Sequence, residues 1–446
     1  MSNQSVVVVG GGIAGIQASI DLANMGFRVY LVEQTPSIGG RMAQLDKTFP
    51  TNDCSMCILA PKMIECAGHE NVELLTYSEL AEVSGTAGDF KVTVRRKPPY
   101  VDAAKCTGCG ECAEKCPRRV PDEFNVGLDK RKAIYLPFPQ AVPRKMTIDA
   151  EACLYLTKGR CRVCEETCQA GAIDFEQQEE ILELEVGALL LATGFDPFDP
   201  APLEEYGYGR IENVITGLEY ERLICASGPT GGPLERPSDG KVPGTIAFIQ
   251  CVGSRDVNYQ PYCSSVCCMH ATKEAILANE HYPDLKSFIF YTDMRAVGKQ
   301  FQDYIIRARD EYDVSYVRSR PGKITVDEET GNPIVWYDET VYSEAEDPVR
   351  RVTSLEVDLV VLCQALVPHT DHQELADKMG LELDESGFIA IEDRLVRPVD
   401  TSVAGVFACG FCQGPQDIPD SVVQASAAAA RVAEILSLES RELEHA

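Results

Sequence analysis

No apolar run in the chain is long enough to cross a bilayer: the longest, such as Val6–Val9 and Val186–Ala192, fall far short of the ~18–20 residues a spanning helix needs. Positive charge is also scarce. Lysine and arginine number 41 against 69 aspartates and glutamates, a formal net charge of −28, so phosphate backbones and anionic lipid are repelled and nucleic acid is not an expected partner. The N-terminus, MSNQSVVVVGGG, lacks the basic flank and long apolar stretch of an export signal, and a cytoplasmic location is expected. Nothing in the composition leans towards disorder or fibre: 45% hydrophobic and 25% charged residues over 446 positions are ordinary for a globular protein, with room for about two to four compact units. Cysteine is the excess. Nineteen of them exceed what packing asks of one chain, and in a reducing compartment they point to zinc or iron–sulfur clusters rather than disulfides.

Val6–Val9 is a β-branched run followed by Gly10-Gly11-Gly12-Ile13-Ala14-Gly15, then by a helical pattern over Ile16–Met25 and a second strand, Arg28–Val32, ending in Glu33. This is the βαβ dinucleotide fingerprint with every part in place. Gly10 allows the tight turn, Gly12 the approach of a pyrophosphate to a helix N-terminus, and Gly15 close helix–strand packing; Glu33 is the ribose acceptor. Gly39-Gly40-Arg41 resembles the segment that follows the second strand in two-dinucleotide flavoproteins, which favours FAD over NAD. Ala192-Thr193-Gly194, behind the Val186–Ala192 strand, resembles their ATG turn, and Thr401–Gly410 their C-terminal flavin strand. Phe411 stands where those proteins carry Asp, leaving Asp417 or Asp420 as substitutes for the ribityl contact. A helix over Ser426–Leu438 is predicted to aim its N-terminal turn at the flavin, with a plain packing helix as the alternative; Gly410, Phe411, Asp417 and Ile418 are further candidate flavin-binding residues.

Between Val101 and Phe175 cysteine, lysine and proline rise. Cys106-x2-Cys109-x2-Cys112-x3-Cys116-Pro117 is followed by Cys153-x7-Cys161-x2-Cys164-x3-Cys168, a duplicated ferredoxin motif with a loop insertion in its second copy. In two-cluster ferredoxins three cysteines of one run join the fourth of the other. By that analogy Cys106, Cys109, Cys112 and Cys168 hold one [4Fe–4S] cluster, and Cys153, Cys161, Cys164 and Cys116 a second. Zinc ribbons, the alternative, seldom show this spacing and repeat.

Thr245–Gln250, Cys267–Glu280 and Leu285–Tyr291 read as a second βαβ unit, but its glycine loop is missing. In its place stand Cys251, Cys263, Cys267 and Cys268, with spacing C-x11-C-x3-C-C. Four thiols from a loop and a helix start suit a third [4Fe–4S] cluster, stabilised by the helix dipole. Buried structural cysteines or a redox disulfide are the alternatives. Consecutive helical side chains diverge by about 100°, so Cys267 and Cys268 reach one centre only at a helix start.

IQCVGSRD…YCSSVCCMHATKEA, FPTNDCSMCILAPKM and CGFCQGPQDIPDSVVQASAAAA together resemble the A-type subunit of heterodisulfide reductase and its homologues, over nearly the whole chain. The resemblance implies an α/β, thioredoxin-reductase-like two-dinucleotide-domain flavoprotein with an inserted 2[4Fe–4S] ferredoxin domain, one FAD and three [4Fe–4S] clusters. The expected division is 1–98 and 179–240 for the first two parts of the FAD domain, 99–178 for the insert, 241–355 for an NAD-domain-like unit with the third cluster, and 356–446 for the C-terminal FAD part. Relative to larger members the chain reads as a short form. The implied work is electron transfer in a complex with B- and C-type iron–sulfur subunits and a hydrogenase or dehydrogenase donor, and a homodimer of the flavin protein is compatible with it. Lys273 would by resemblance approach flavin N5 and tune its potentials, the only motive besides family analogy for a bifurcating role; an ordinary surface lysine is the alternative. Quinone-interacting electron transfer and an NAD(P)H oxidoreductase resembling the glutamate synthase small subunit are rival functions, the latter weakened by the missing glycine loop. Cys54-x2-Cys57 reads equally as a redox pair, a partner-cluster ligand or a structural turn. Cys66, Cys225, Cys363, Cys409 and Cys412 show no complete ligand set, Cys363 reads as core, and no histidine receives a catalytic role.

Overall fold

A computed structural model describes residues 4–341 and 349–444. The chain forms two compact units, Met1–Gln44 with Met56–Phe195 and Pro368–Ala446, and Leu45–Ser55 with Asp196–Val367.

The first unit is organised by the valine-rich strand Ser5–Val9, buried at every position. A strand apolar on both faces belongs in the middle of a parallel sheet, and it pairs in parallel with Arg28–Glu33 on one side and Ala188–Leu191 on the other. The sheet continues outward to Val72–Thr76 beyond Arg28–Glu33, and through Val406–Ala408 and Arg397–Thr401 to Ile391–Asp393 on the other side. Helix Ile13–Asn24 follows the glycine loop directly. The C-terminal helix begins at Ile418, eight residues before the expected Ser426, and runs to Glu444. Asp417 caps it by accepting from the Asp420 amide at 2.9 Å, and Pro419 in the first turn needs no acceptor for an amide it lacks.

The antiparallel strands Ser78–Thr86, Asp89–Arg96 and Glu180–Val186 form a separate three-stranded sheet in which Arg96 lies opposite Glu180. The chain thus leaves and returns at one point, which is what lets a whole cysteine-rich segment be inserted without breaking the sheet. That segment is held by two short hairpins, Arg119–Pro121 with Lys130–Lys132 and Ile134–Tyr135 with Thr147–Ile148. Val101, Ile134, Met146, Ile148, Ile173 and Phe175 share its small core with the thiols.

The second unit is a five-stranded parallel sheet in the order Val214–Thr216, Leu359–Gln364, Thr245–Val252, Lys286–Tyr291, Ser315–Arg318. Helices Cys267–His281 and Phe301–Glu311 form the crossovers. This unit begins at Asp196 rather than 241 and extends to Val367 rather than 355. The physical reason is the three-residue strand Val214–Thr216, which pairs with Val360–Leu362 and is followed by helix Gly217–Ile224, started by a Thr216–Glu219 capping box. No described helix is long and apolar enough to cross a membrane.

Candidate flavin and iron–sulfur sites

The glycine loop has the shape of a phosphate cradle. Gly10 adopts φ +104°, and a Cβ there would stand 2.4 Å from the Ala192 carbonyl oxygen; a Cβ on Gly15 would stand 1.9 Å from that of Gly10. A Cβ on Gly12 would meet nothing within 4 Å, so open space lies over the helix N-terminus, and no side chain caps that helix. Amide donors facing open space suit a pyrophosphate. The Gly39 amide donates to the Gly11 carbonyl at 2.7 Å, and Gly40, at φ +56°, packs on Gly12 so closely that a Cβ would lie 2.8 Å from its Cα. Arg41 donates to Gln44 at 3.2 Å. Glu33 is buried and accepts from the Gly11 amide at 2.7 Å and from the Thr35 amide and hydroxyl at 2.8 Å. Burial raises its pKa, which these hydrogen bonds partly offset. It therefore also fixes the loop, a contact the sequence did not signal.

Gly410, at φ +76°, faces Ala14, where a Cβ would come within 2.9 Å of the alanine methyl, and its amide donates to Gln424 at 3.0 Å. Phe411 is buried, 4.3 Å from the Phe195 ring and 6.1 Å from that of Phe388, so an aromatic cluster occupies the place of the usual carboxylate. Thr193, beside Gly194 at φ +73°, pairs its hydroxyl with His372 Nε2 at 2.9 Å. His372 is buried and was not singled out by the sequence, because its partner lies 179 positions away.

In the insert, one cavity is lined by Cys116, Cys153, Cys161 and Cys164, with Ile134 and Tyr155 among its apolar walls. Burial pushes the Cys164 thiol up to about 11, and nearby Cys153 and Cys116 add to the shift. Cys112 is likewise pushed up to about 12 by burial, with Cys106 and Cys109 beside it. Cys168 accepts from the Ala172 amide at 3.3 Å. The Lys145 ammonium donates to the Cys106 carbonyl at 2.6 Å and that of Lys132 to the Cys116 carbonyl, so cations sit beside both thiol groups.

In the second unit Cys251 occupies a bulge in strand Thr245–Val252 with φ +60°. Cys267 and Cys268 are the first two residues of their helix, the one place where neighbouring side chains can serve one centre. Cys267 lies beside Cys251 and Cys268, and these thiols together with burial raise it. The neighbouring Cys267 thiol, aided by the Arg255 guanidinium, pulls the Cys251 thiol below its ordinary range. The Arg255 amide donates to the Tyr262 carbonyl at 2.9 Å and the Ser264 amide to Ser254 at 3.3 Å, which zips the Cys263 loop to the Cys251 loop. Cys363, buried in strand Leu359–Gln364, is a fifth thiol near Cys251 and Cys268. Among the described residues no three thiols lie within 4.8 Å of one another.

Lys273 is 1% exposed, which corrects the surface-lysine alternative. Its ammonium pairs with Glu221 and donates to the Lys47 carbonyl at 2.9 Å, with Glu274 at 2.8 Å. His270 Nε2 lies 2.8 Å from Glu221. Burial opposes the Glu221 charge, but Lys273 and His270 prevail and hold it low; Glu274, dominated by burial and the Glu221 charge, is raised. Sequence reading missed both carboxylates.

Cys54 and Cys57 are exposed, the second in the first turn of helix Ser55–Gly68. Cys409 and Cys412 are fully buried; Cys412 donates to the Cys409 and Leu191 carbonyls at 3.2 and 3.4 Å, and burial raises both thiols.

Residues 5–55 match the FAD dependent oxidoreductase family and residues 99–122 the 4Fe-4S binding domain. The chain is 54% identical, over 432 residues, to the second A-type iron-sulfur subunit of CoB–CoM heterodisulfide reductase from Methanopyrus kandleri, covering 97% of this chain and 64% of that protein. The chain belongs to the A-type family of heterodisulfide reductase subunits. It is 48% identical over 433 residues to the A-type subunit of the H(2):CoB-CoM heterodisulfide,ferredoxin reductase of Methanothermobacter marburgensis, with the same coverages. It thus spans about 64% of the length of these relatives. Thioredoxin reductases of Lactococcus lactis and T. acidophilum align with TM-score 0.52 at 16% and 14% identity, covering 97% and 98% of this chain and 99% of each of theirs. The fold is thioredoxin-reductase-like, with a 4Fe–4S segment inserted, and FAD and 4Fe–4S binding belong to it.

Proposed function

We propose that the chain is the flavin-bearing electron-transfer part of a heterodisulfide-reductase-like complex, an oxidoreductase component without turnover of its own. Bound FAD and three [4Fe–4S] clusters supply two- and one-electron exchange. The Gly10–Gly15 loop, Glu33, Gly39–Arg41, Ala192–Gly194 and the Gly410–Ile418 segment are proposed to hold FAD. The cluster ligands are Cys106, Cys109, Cys112 and Cys168; Cys153, Cys161, Cys164 and Cys116; and Cys251, Cys263, Cys267 and Cys268. What supports the reading most is the cavity lined by Cys116 of one run together with Cys153, Cys161 and Cys164 of the other, the crossed pattern of a two-cluster ferredoxin.

Lys273 is assigned to flavin tuning, with Glu221 fixing its charge. Companion B- and C-type iron–sulfur subunits and a hydrogenase- or dehydrogenase-type donor are the proposed partners, in line with relatives named as heterodisulfide and ferredoxin reductase subunits. The location is proposed to be cytoplasmic. Where a nucleotide-binding unit carries its glycine loop, this chain carries Cys251-Val252-Gly253-Ser254, so hydride delivery by NADH or NADPH is not expected. Anaerobic stopped-flow mixing with either nucleotide should leave the flavin absorbance unchanged; fast, saturable bleaching would restore the NAD(P)H-oxidoreductase reading.

A further inference from the structure

Two buried nitrogens beside the Cys251 and Cys268 thiols have no acceptor. Gln250 precedes Cys251 on strand Thr245–Val252 and is 3% exposed. Its side-chain oxygen accepts from the Cys268 thiol at 3.4 Å, while its Nε2 has no hydrogen-bond partner among the described residues. Arg255 gives one end of its guanidinium to Asp293, Nη2 donating at 2.7 Å. The other end, Nη1, is shut away from solvent and has no partner among the described residues. A buried donor left unmade costs about 1–3 kcal/mol, so each of these groups calls for an acceptor.

The Gln250 arrangement suits a thiol and fails for a thiolate, which is the form that binds metal. With its proton gone, Cys268 no longer donates, and the Gln250 oxygen would face an anion. Turning the amide over exchanges Oε1 and Nε2 within the same envelope and brings an N–H to the sulfur. Cys268 also donates to the Asp293 carbonyl at 3.7 Å, but a backbone acceptor cannot turn over, so Gln250 is the neighbour that can adapt. Backbone donors already point the same way: the Arg295 amide donates to Cys268 Sγ at 3.5 Å and the Ser265 amide to Cys263 Sγ at 3.4 Å. Arg255, whose charge acts on the Cys251 thiol, and Ser265 hold φ of +56° and +63°, a conformation that costs each about 1–2 kcal/mol and is kept in the loops that carry these donors.

We propose that Gln250 and Arg255 tune the third cluster, the Gln250 amide donating to Cys268 Sγ and the Arg255 guanidinium to Cys251 Sγ, so that its reduced state is favoured. The inference rests on the assignment of Cys251, Cys263, Cys267 and Cys268 proposed above. Adding one electron, supplied by dithionite in the test below, places negative charge on the sulfurs these donors face, with no bond made or broken and no proton moved. Hydrogen bonds aimed at growing negative charge raise the reduction potential. Neither residue is a ligand, so the iron stays when the donors are removed and only the potential moves.

The test is a potentiometric titration of the cluster- and flavin-loaded chain, read by electron paramagnetic resonance on the signal that Cys268→Ala removes. Gln250→Leu keeps a similar volume without the donors, and at a fixed potential it should raise the oxidised-to-reduced ratio of that signal about threefold. The double variant Gln250→Leu, Arg255→Gln should raise it about tenfold, a midpoint lower by about 59 mV for one electron. Arg255→Lys, which keeps the cation, should fall between the wild type and Arg255→Gln. Arg351→Gln, exposed on strand Val349–Glu356 and paired with Glu339, should change nothing, and the signals of the inserted segment should not move in any of these variants. If Gln250→Leu loses iron, Gln250→Asn, one methylene short of the sulfur, takes its place with the same expected direction. An unshifted midpoint at full iron content in the double variant, or in Gln250→Asn where that stands in, would overturn the tuning proposal. A wild-type chain with about eight iron, or a Cys268→Ala variant that keeps every signal, would strike the third-cluster assignment instead.

Discussion

Cys251 stands where backbone preference alone would place glycine. A left-handed conformation such as its φ of +60° costs a non-glycine residue about 1–2 kcal/mol, and a thiol kept there in spite of that cost fits the ligand role proposed for it. Cys251→Gly should accordingly keep or raise the thermal midpoint of the iron-free chain while the iron content falls by about four per chain; a variant that keeps all its iron would remove Cys251 from the ligand set. Glu221 and Glu274 divide one buried site between two protonation states. Glu274 is raised, so its contribution to stability is complete below the ordinary carboxylate range and is lost as pH climbs towards its elevated folded value. Glu221 is lowered, so its contribution is present above that range and is lost on acidification. Glu274→Gln should therefore flatten the fall in urea midpoint as pH rises above the ordinary carboxylate range, whereas Glu221→Gln, which strips Lys273 of its anion, should cost about 3–5 kcal/mol at neutral pH. Equal effects of the two would contradict the division. The candidate thiol groups were legible because their cysteines come in tight runs; Glu221 was not, because Lys273 meets it across 52 positions.

Elements with a strong period were readable and short ones were not. The strand, loop and helix of residues 5–24 announce themselves through four consecutive valines and the glycines. The three-residue strand Val214–Thr216 is too short to show alternation, and its loss shifted the expected start of the second unit by 45 residues, from Asp196 to 241. The early start of the C-terminal helix was hidden by Pro419, which reads as a breaker until Asp417 is seen to cap it. The proposed crossed ligand pattern also belongs to this scale, since the helices Glu111–Lys115 and Val163–Thr167 each end at the cysteine assigned to the other run. Cys116→Ala should abolish the same electron paramagnetic resonance signal as Cys161→Ala, and the double variant should lose no second signal. Loss of the signal that Cys109→Ala removes would mean uncrossed runs.

For the molecule as a whole, the duplicated cysteine motif and the absent second glycine loop carried most of the reading, and what they could not show is how the insert is built into the flavin unit. The Ile38 amide donates to the Val142 carbonyl at 3.0 Å, the Val142 amide donates to the Ser37 hydroxyl at 2.8 Å, and Phe138, stacked on Phe124 at 4.8 Å, packs under Gly39. The insert therefore supports the segment that closes the cradle. Phe138→Ala, which opens a cavity there at a cost of about 3–5 kcal/mol, should release FAD more readily on dilution while the iron content holds; unchanged retention would show the insert to be independent of the cradle. The central claim, that a nucleotide loop has been exchanged for cluster ligands in a flavoprotein with a two-cluster insert, is tested most directly by metal and flavin analysis after anaerobic purification. Three four-thiol sets and one cradle predict about twelve iron and one FAD per chain, and stoichiometric zinc, or iron near four, would contradict it.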